Sequence, residues 1–287
     1  MLAIYKRELK SYMTSMVGYI FIFFILVLAG IYFSAYNISS AYPKFEITLD
    51  AITFVFLIGV PILTMNVIAE ERKQKTDQML LTSPVSIQGI VCGKYLALVT
   101  VYLVPILILC IYPLVMSKYG SVALLPAYTA IAGFFLLGCA NLAVGVFLSS
   151  ITESQVIAAV LTFIVLFAFY VITGISSFFA KTAISTCATF AILILALVLV
   201  FYTMVKNRFL SGVLALVLEG ILWVSYLLKP GIFEGGIQKI LTVFDISGHF
   251  DDFVSGIFDI NGVVYFLSIV GICLFLTVQT IAKRRWS

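Results

Sequence analysis

Few residue groupings in this 287-residue chain could support chemistry. A phosphate-binding loop needs G-x-x-x-x-G-K-[ST], because backbone amides cradle the phosphates and the hydroxyl holds magnesium. Gly89-Ile-Val-Cys-Gly93-Lys94-Tyr95 is one residue short and ends in tyrosine, so the chain is not expected to bind ATP itself. The single histidine, His249, lies near Asp251, Asp252 and Ser255. Within one short amphipathic stretch these residues cannot be counted as a hydrolase triad. Nor does the Asp251-Asp252 pair have the second acidic cluster that a prenyl-transferring enzyme would want. The five cysteines (92, 110, 139, 187 and 273) are isolated, with no C-x-x-C, so neither a metal site nor a disulfide framework is implied. Glu219 is the remaining candidate, in Leu216-Val-Leu-Glu219-Gly-Ile-Leu-Trp223. A carboxylate in such surroundings must be neutral, paired or facing water. It reads either as a proton or substrate-cation site, or as a protonated carboxyl bonded to a neighbouring helix, for example through Asn141. The lack of an intramembrane partner charge favours the structural reading.

The elements around these residues belong to a membrane. Of all residues 63% are hydrophobic and 10% charged, against about 45–50% and about 25% in soluble domains, which excludes an ordinary globular enzyme. Mean hydropathy is +1.18, which also excludes intrinsic disorder. Stretches free of Asp, Glu, Lys and Arg cover 11–43, 51–69, 95–117, 119–152, 154–180, 182–205 and 260–282, and 209–228 is broken only by Glu219. Each supplies about the 20 residues that a spanning helix needs. The two longest are too short for two spans, so each is expected to carry a polar shoulder, Asn37-Ile-Ser-Ser40 and Ser149-Ser150. The fold class is therefore an all-α polytopic helix bundle with about eight transmembrane helices. Continuous runs of this length are not the short alternating segments of a β-barrel.

Lysine and arginine set the orientation. With the N-terminus in the cytoplasm, Lys6, Arg7, Lys10, Arg72, Lys73, Lys75, Lys94, Lys206, Arg208, Lys283, Arg284 and Arg285 fall inside. Lys44, Lys118, Lys181, Lys229 and Lys239 fall outside, so both termini are expected to be cytoplasmic. The first apolar run is too long for a cleavable signal peptide and reads as an uncleaved helix.

Three segments leave the bilayer. Residues 3–15 form an amphipathic pattern, with Tyr5, Leu9, Tyr12 and Met13 on one side and Lys6, Arg7 and Lys10 on the other, expected to lie in the cytoplasmic interface with its cations toward lipid phosphates. Residues 70–94 begin as a charged continuation of span two, Glu70-Glu71-Arg72-Lys73, then offer Met79, Leu80 and Leu81 before Pro84 ends the helix. Those leucines either dock a soluble partner or fold back on the bundle. Residues 229–262 carry apolar spacings of three, four and seven that suggest two short amphipathic helices at the outer leaflet.

The 70–94 residues resemble a known family. Glu71-Arg72, Thr76, Leu80-Leu81-Thr82-Ser83-Pro84-Val85-Ser86 and Gly93-Lys94 are similar to the region after the second helix of ABC-2 type transporter permeases. Ser149-Ser150-Ile151-Thr152-Glu153-Ser154-Gln155 resembles that family's next cytoplasmic connection. Asp245-Ile-Ser-Gly-His249-Phe250, Phe253, Gly256-Ile257, Asp259, Val264-Tyr265-Phe266-Leu267 and Arg284-Arg285-Trp286 are similar to its gliding-motility-associated branch. The resemblance implies a six-helix core, with 182–228 as an extra pair, and a permease subunit that is not an enzyme. ATP and magnesium would be bound by two separate cytoplasmic ATP-binding subunits, with no cofactor in this chain. A second permease, identical or paralogous, membrane lipids and an accessory outer-face subunit are the implied partners; nucleic acid is not. Glu70, Glu71, Arg72, Thr76, Leu80, Leu81, Thr82, Pro84 and Val85 would couple to the ATPase. Thr152, Glu153 and Gln155 would make a second cytoplasmic contact, and Val156, Phe163, Phe167 and Tyr170 on span five would face the pathway. The implied function is ATP-driven export of a lipidic, peptide or other amphipathic substrate across the cell membrane of a bacterium. An ion-gradient-driven transporter or channel using Glu219 is the alternative.

Overall fold

Inside a bilayer a chain must satisfy its own backbone hydrogen bonds, and helices do so within each segment. The computed structural model describes residues 1–75, 86–178, 182–205, 208–229, 231 and 233–286, and among these there are helices and no strand. They divide into two compact units, Met1–Tyr170 with Ile246–Ser287, and Val171–Asp245.

In the first unit, α1 (Leu2–Thr14) is followed after Ser15 by α2 (Met16–Phe33). The polar shoulder expected at Asn37–Ser40 is a π-helical turn, Ser34–Ser39. Asn37 organises it: its amide donates to the carbonyls of Tyr42 (2.8 Å) and Lys44 (3.1 Å), and its oxygen accepts from the Thr48 hydroxyl at 2.6 Å.

Span two departs from the continuous helix expected from the sequence. It is a broken pair, α3 (Phe45–Ala51) and a helical stretch from Val55 to Lys73, bent by 60°. That stretch is interrupted at 65–68, giving α4 (Val55–Thr64) and the short α5 (Ala69–Lys73), so the charged stem does not simply prolong the span. α3 occupies what reads in sequence as an outer loop, because Phe45 and Leu49 are fully buried.

Next come α6 (Ile87–Leu109) and α7 (Ile111–Ser117), separated at Cys110. Pro113 has no N–H for the Leu109 carbonyl, which accounts for the break there, whereas Pro105 stays within α6. α8 (Leu124–Ile151) is the central post, 78% buried in its apolar window, and it touches α3, α4, α6 and α7. Its small residues permit this, since between membrane helices close approach replaces a hydrophobic driving force. At Gly133 an added Cβ would lie 2.6 Å from the Phe253 side chain, and at Gly145 2.5 Å from the Thr64 hydroxyl. α9 (Gln155–Phe178) follows. α13 (Gly248–Val254) and α14 (Ile260–Trp286) close the unit against α8. Phe253, fully buried, fits between Gly133 and Gly262, and Asp259 caps α14 by accepting from the amides of Asn261 (3.0 Å) and Gly262 (2.8 Å).

In the second unit, α10 (Ala183–Val205) and α11 (Arg208–Leu228) pack side by side, and α12 (Gly236–Phe244) lies against α10. They occupy the 182–228 pair and part of the amphipathic 229–262 segment. Among the described residues, five helices are long and apolar enough to cross a membrane, or six if the bent pair counts as one span; Ala215–Leu228 is a shorter apolar helix.

Candidate functional site

Four charged residues of the first unit, Arg7, Glu8, Glu71 and Lys94, converge at one end of the bundle. Lys94, about two turns into α6, is only 2% exposed. A buried ammonium needs acceptors, and Lys94 has three: Glu71 at 2.9 Å, Glu8 at 3.3 Å and the Val67 carbonyl at 2.7 Å. Arg7 completes a four-member network, 2.6 Å from Glu8 and 3.0 Å from Glu71. Its hydrogen bond to Glu8 raises the guanidinium pKa further above its already high value. Arg7 was expected to face lipid phosphates; the carboxylates of Glu8 and Glu71 compete successfully for it. Lys6 and Lys10 remain exposed.

Each partner is positioned by its own element. α1 carries Arg7 and Glu8, α5 carries Glu71, and α6 carries Lys94. α1 can reach α6 because position 93 is glycine: a Cβ there would lie 3.2 Å from the Met1 carbonyl and 3.4 Å from the Tyr5 amide and the Ile4 side chain. The Tyr5 hydroxyl also bonds the Thr100 hydroxyl at 3.0 Å. Gly93-Lys94, the tail of the incomplete phosphate loop, thus docks α1. At the start of α6, Ser86 accepts from the Gly89 amide at 3.2 Å, an ordinary N-cap.

The break at 65–68 is served from outside. Ser149 of α8 accepts from the amides of Ile68 (3.3 Å) and Ala69 (3.2 Å) and donates to the Met65 carbonyl at 3.4 Å. The Tyr12 hydroxyl reaches the Leu63 carbonyl at 3.5 Å, and burial pushes its pKa up, keeping it a donor. A cavity of about 590 Å³ opens here, lined by Arg7, Ser11, Tyr12, Asn66, Glu70 and Lys94 among others. Glu70 accepts from Gln74 at 3.1 Å, and Arg72 is 6% exposed.

A family model described as ABC-2 family transporter protein matches residues 2–282. The chain belongs to the ABC-2 transporter family. No curated protein matches it. Family membership and the apolar helices make it a multi-pass membrane protein, and the family fits a non-catalytic permease subunit of an ABC transporter.

Of the residues that the ABC-2 resemblance pointed to, Glu71 sits in the network and Glu70 lines the cavity. Thr76, Leu80, Leu81, Thr82, Pro84 and Val85 lie outside the described residues. Thr152 ends α8 and its hydroxyl donates to the Ser154 carbonyl at 3.3 Å, Glu153 is exposed, and Gln155 opens α9. These belong to the same end as the network, since Ser149 lies one turn before them. Val156, Phe163, Phe167 and Tyr170 are exposed along α9, and the rings of Phe163 and Phe167 stack at 5.9 Å. His249 stacks flat on Tyr265 at 3.8 Å, a packing contact between α13 and α14. Among the described residues no group of three or more His, Cys, Asp or Glu could hold a metal ion. Glu219 lies in α11, its Oε1 buried without a hydrogen-bond partner among the described residues.

Sequence reasoning missed Arg7, Glu8 and Lys94 as one network and Ser149 as the acceptor for a distant helix. A signal for Lys94 was present: a lysine at the start of an apolar span needs an acid, and Glu8 and Glu71 are nearby candidates at the same end.

Proposed function

We propose that this chain is the permease subunit of an ABC transporter that couples to two separate cytoplasmic ATP-binding subunits through α1, α5 and the 74–86 segment. The carrying observation is the Arg7–Glu8–Glu71–Lys94 network, which fastens the base of that segment to two other helices. Force applied to Leu80–Val85 passes through Glu71 into Lys94 and so into α6, and through Ser149 into α8. Thr152, Glu153 and Gln155 add a second contact with the ATPase. α1 lies in the cytoplasmic interface and both termini are cytoplasmic. The exposed apolar stripe Val156, Phe163, Phe167 and Tyr170 lines the pathway or meets a second permease, identical or paralogous, and its character suits export of a lipidic or amphipathic substrate. The C-terminal motifs support the gliding-motility-associated branch.

The test uses the complete transporter. An ATP-binding subunit should co-purify, and Glu71→Ala or Leu80→Asp complexes that still assemble should lose coupled ATPase activity roughly ten-fold, the scale of a typical coupling energy. Normal coupled activity in assembled variants would overturn the reading. The competing reading, gradient-driven transport through Glu219, is favoured by its Oε1, buried without a hydrogen-bond partner among the described residues. It requires transport in liposomes lacking any ATPase, abolished by Glu219→Gln.

A further inference from the structure

At the other end of the first unit lies a second cavity, of about 410 Å³. Its depth follows from chain length. α2 begins directly after Ser15, which lines the charged cavity, and ends 18 residues later at Phe33, which lines the second. That run is roughly 27 Å, close to the ~30 Å hydrocarbon thickness of a bilayer. α6 and α7 make the same crossing, from Lys94 beside the first cavity to Val115 and Met116 beside the second. The two cavities therefore lie at opposite membrane interfaces.

The second cavity is apolar in effect. Phe33, Ile38, Pro43, Val115, Met116 and Val122 supply its walls. Its polar lining residue, Asn37, is already engaged with Tyr42, Lys44 and Thr48. Tyr42 and Tyr119 stand exposed at its rim, the placement expected of an interfacial aromatic belt. Lys44 directly follows Pro43 and Lys118 directly precedes Tyr119, and both are exposed. The acid nearest in sequence, Glu46, is buried. An apolar hollow of this volume, within the usual ~300–1,000 Å³ of ligand cavities, thus opens at headgroup level, and two of its lining residues, Pro43 and Tyr119, are chain neighbours of exposed lysines.

We propose that this cavity holds an acyl chain of an anionic phospholipid of that leaflet, whose phosphate is gripped by Lys44 and Lys118. The long lysine stems allow the ammoniums to reach headgroup depth while lying along the apolar rim. This site is independent of ATPase coupling, so it stands or falls separately from the permease reading.

Native mass spectrometry of the full-length protein, loaded with dioleoyl phosphatidylglycerol or dioleoyl phosphatidylcholine, tests it. The wild type should retain phosphatidylglycerol roughly 30-fold better, as expected for two interfacial lysines. K44Q/K118Q should remove most of that preference, whereas K6Q/K10Q, which removes exposed cations at the opposite end, should lower it much less. V115W, which fills the hollow, should lower retention of both lipids; the exposed lysine substitutions keep the test valid if V115W fails to fold. Equal retention of the two lipids by the wild type, or an equal loss in K6Q/K10Q and K44Q/K118Q, would overturn the proposal.

Discussion

Replacing Glu71 by Gln should destabilise the protein more than replacing Lys94 by Met, although both remove the same 2.9 Å contact. The asymmetry comes from what each change leaves behind. Without Glu71, the Lys94 ammonium remains 2% exposed, with Glu8 at 3.3 Å and the Val67 carbonyl at 2.7 Å. Glu8 is itself held by Arg7 at 2.6 Å. Truncating one member of a buried pair costs about 3–5 kcal/mol, and retention of Glu8 lowers this to about 2–3 kcal/mol. Without Lys94, the side chains of Glu8 and Glu71 are 13% and 20% exposed and keep Arg7 at 2.6 and 3.0 Å. Methionine fills the stem volume, and the main loss is the bond to Val67, about 1–2 kcal/mol. The double variant E71Q/K94M leaves no buried charge in the network. It should therefore be more stable than E71Q alone, a non-additivity of at least about 1 kcal/mol. Thermal unfolding followed with a thiol-reactive fluorophore suits this chain, because Cys139 is buried in the central helix α8. The expected order of melting temperatures is wild type, then K94M close to the double variant, then E71Q. If E71Q melted at or above K94M, or if the two effects simply added, the network would not act as one unit and the argument would fail.

Three further outcomes follow from single contacts. Ser149→Ala removes the acceptor for the Ile68 and Ala69 amides and should cost about 1–2 kcal/mol, with hydrogen exchange at those two amides accelerated ahead of the amides within α4. Gly133→Ala places a methyl 2.6 Å from the Phe253 side chain, so about 1–3 kcal/mol of overpacking should appear as a lower melting temperature, partly relieved by Phe253→Leu. Tyr102→Phe keeps the ring packing against Phe56 and Phe135 but loses the 2.7 Å bond to the Phe134 carbonyl; a melting shift equivalent to about 1 kcal/mol is expected, and no shift would show that carbonyl to be otherwise satisfied.

How much of this was legible in the sequence differs by element. Long uncharged windows identify α2, α6, α8, α9 and α14, since crossing a bilayer is largely a matter of length and hydropathy. The break in span two was not legible. Its residues are as apolar as those of a straight span, and the break depends on acceptors and donors that arrive from Tyr12, Lys94 and Ser149. α3 was hidden for a related reason: Lys44, Glu46 and Asp50 make the segment look like a loop, whereas Phe45 and Leu49 anchor it in the core. At the site, the charges of 70–94 were evident as a group, but pairing between Arg7 and Glu71 spans 64 positions and leaves no periodic trace. The C-terminal motif was read by apolar spacing and by family likeness, and its packing role emerged only in the structure. Phe253 needs two glycines opposite it, and Asp259 caps the helix that supplies one of them.

The interruption at 65–68 explains why so few charges suffice. Opening a helix inside an apolar bundle exposes carbonyls and amides that each cost several kcal/mol if left without partners. Here the Leu63, Met65 and Val67 carbonyls and the Ile68 and Ala69 amides are met by Tyr12, Ser149 and Lys94, from three different helices. The stem beyond the break cannot shift along its axis without withdrawing those groups from α1, α6 or α8, or drawing the helices with it. A straight helix would have satisfied the same atoms internally and slid past its neighbours with little resistance. Breaking span two at this point therefore converts the stem from an independent rod into one tied to the bundle. Lys94 is the strongest of those ties, because it joins the broken backbone to both carboxylates.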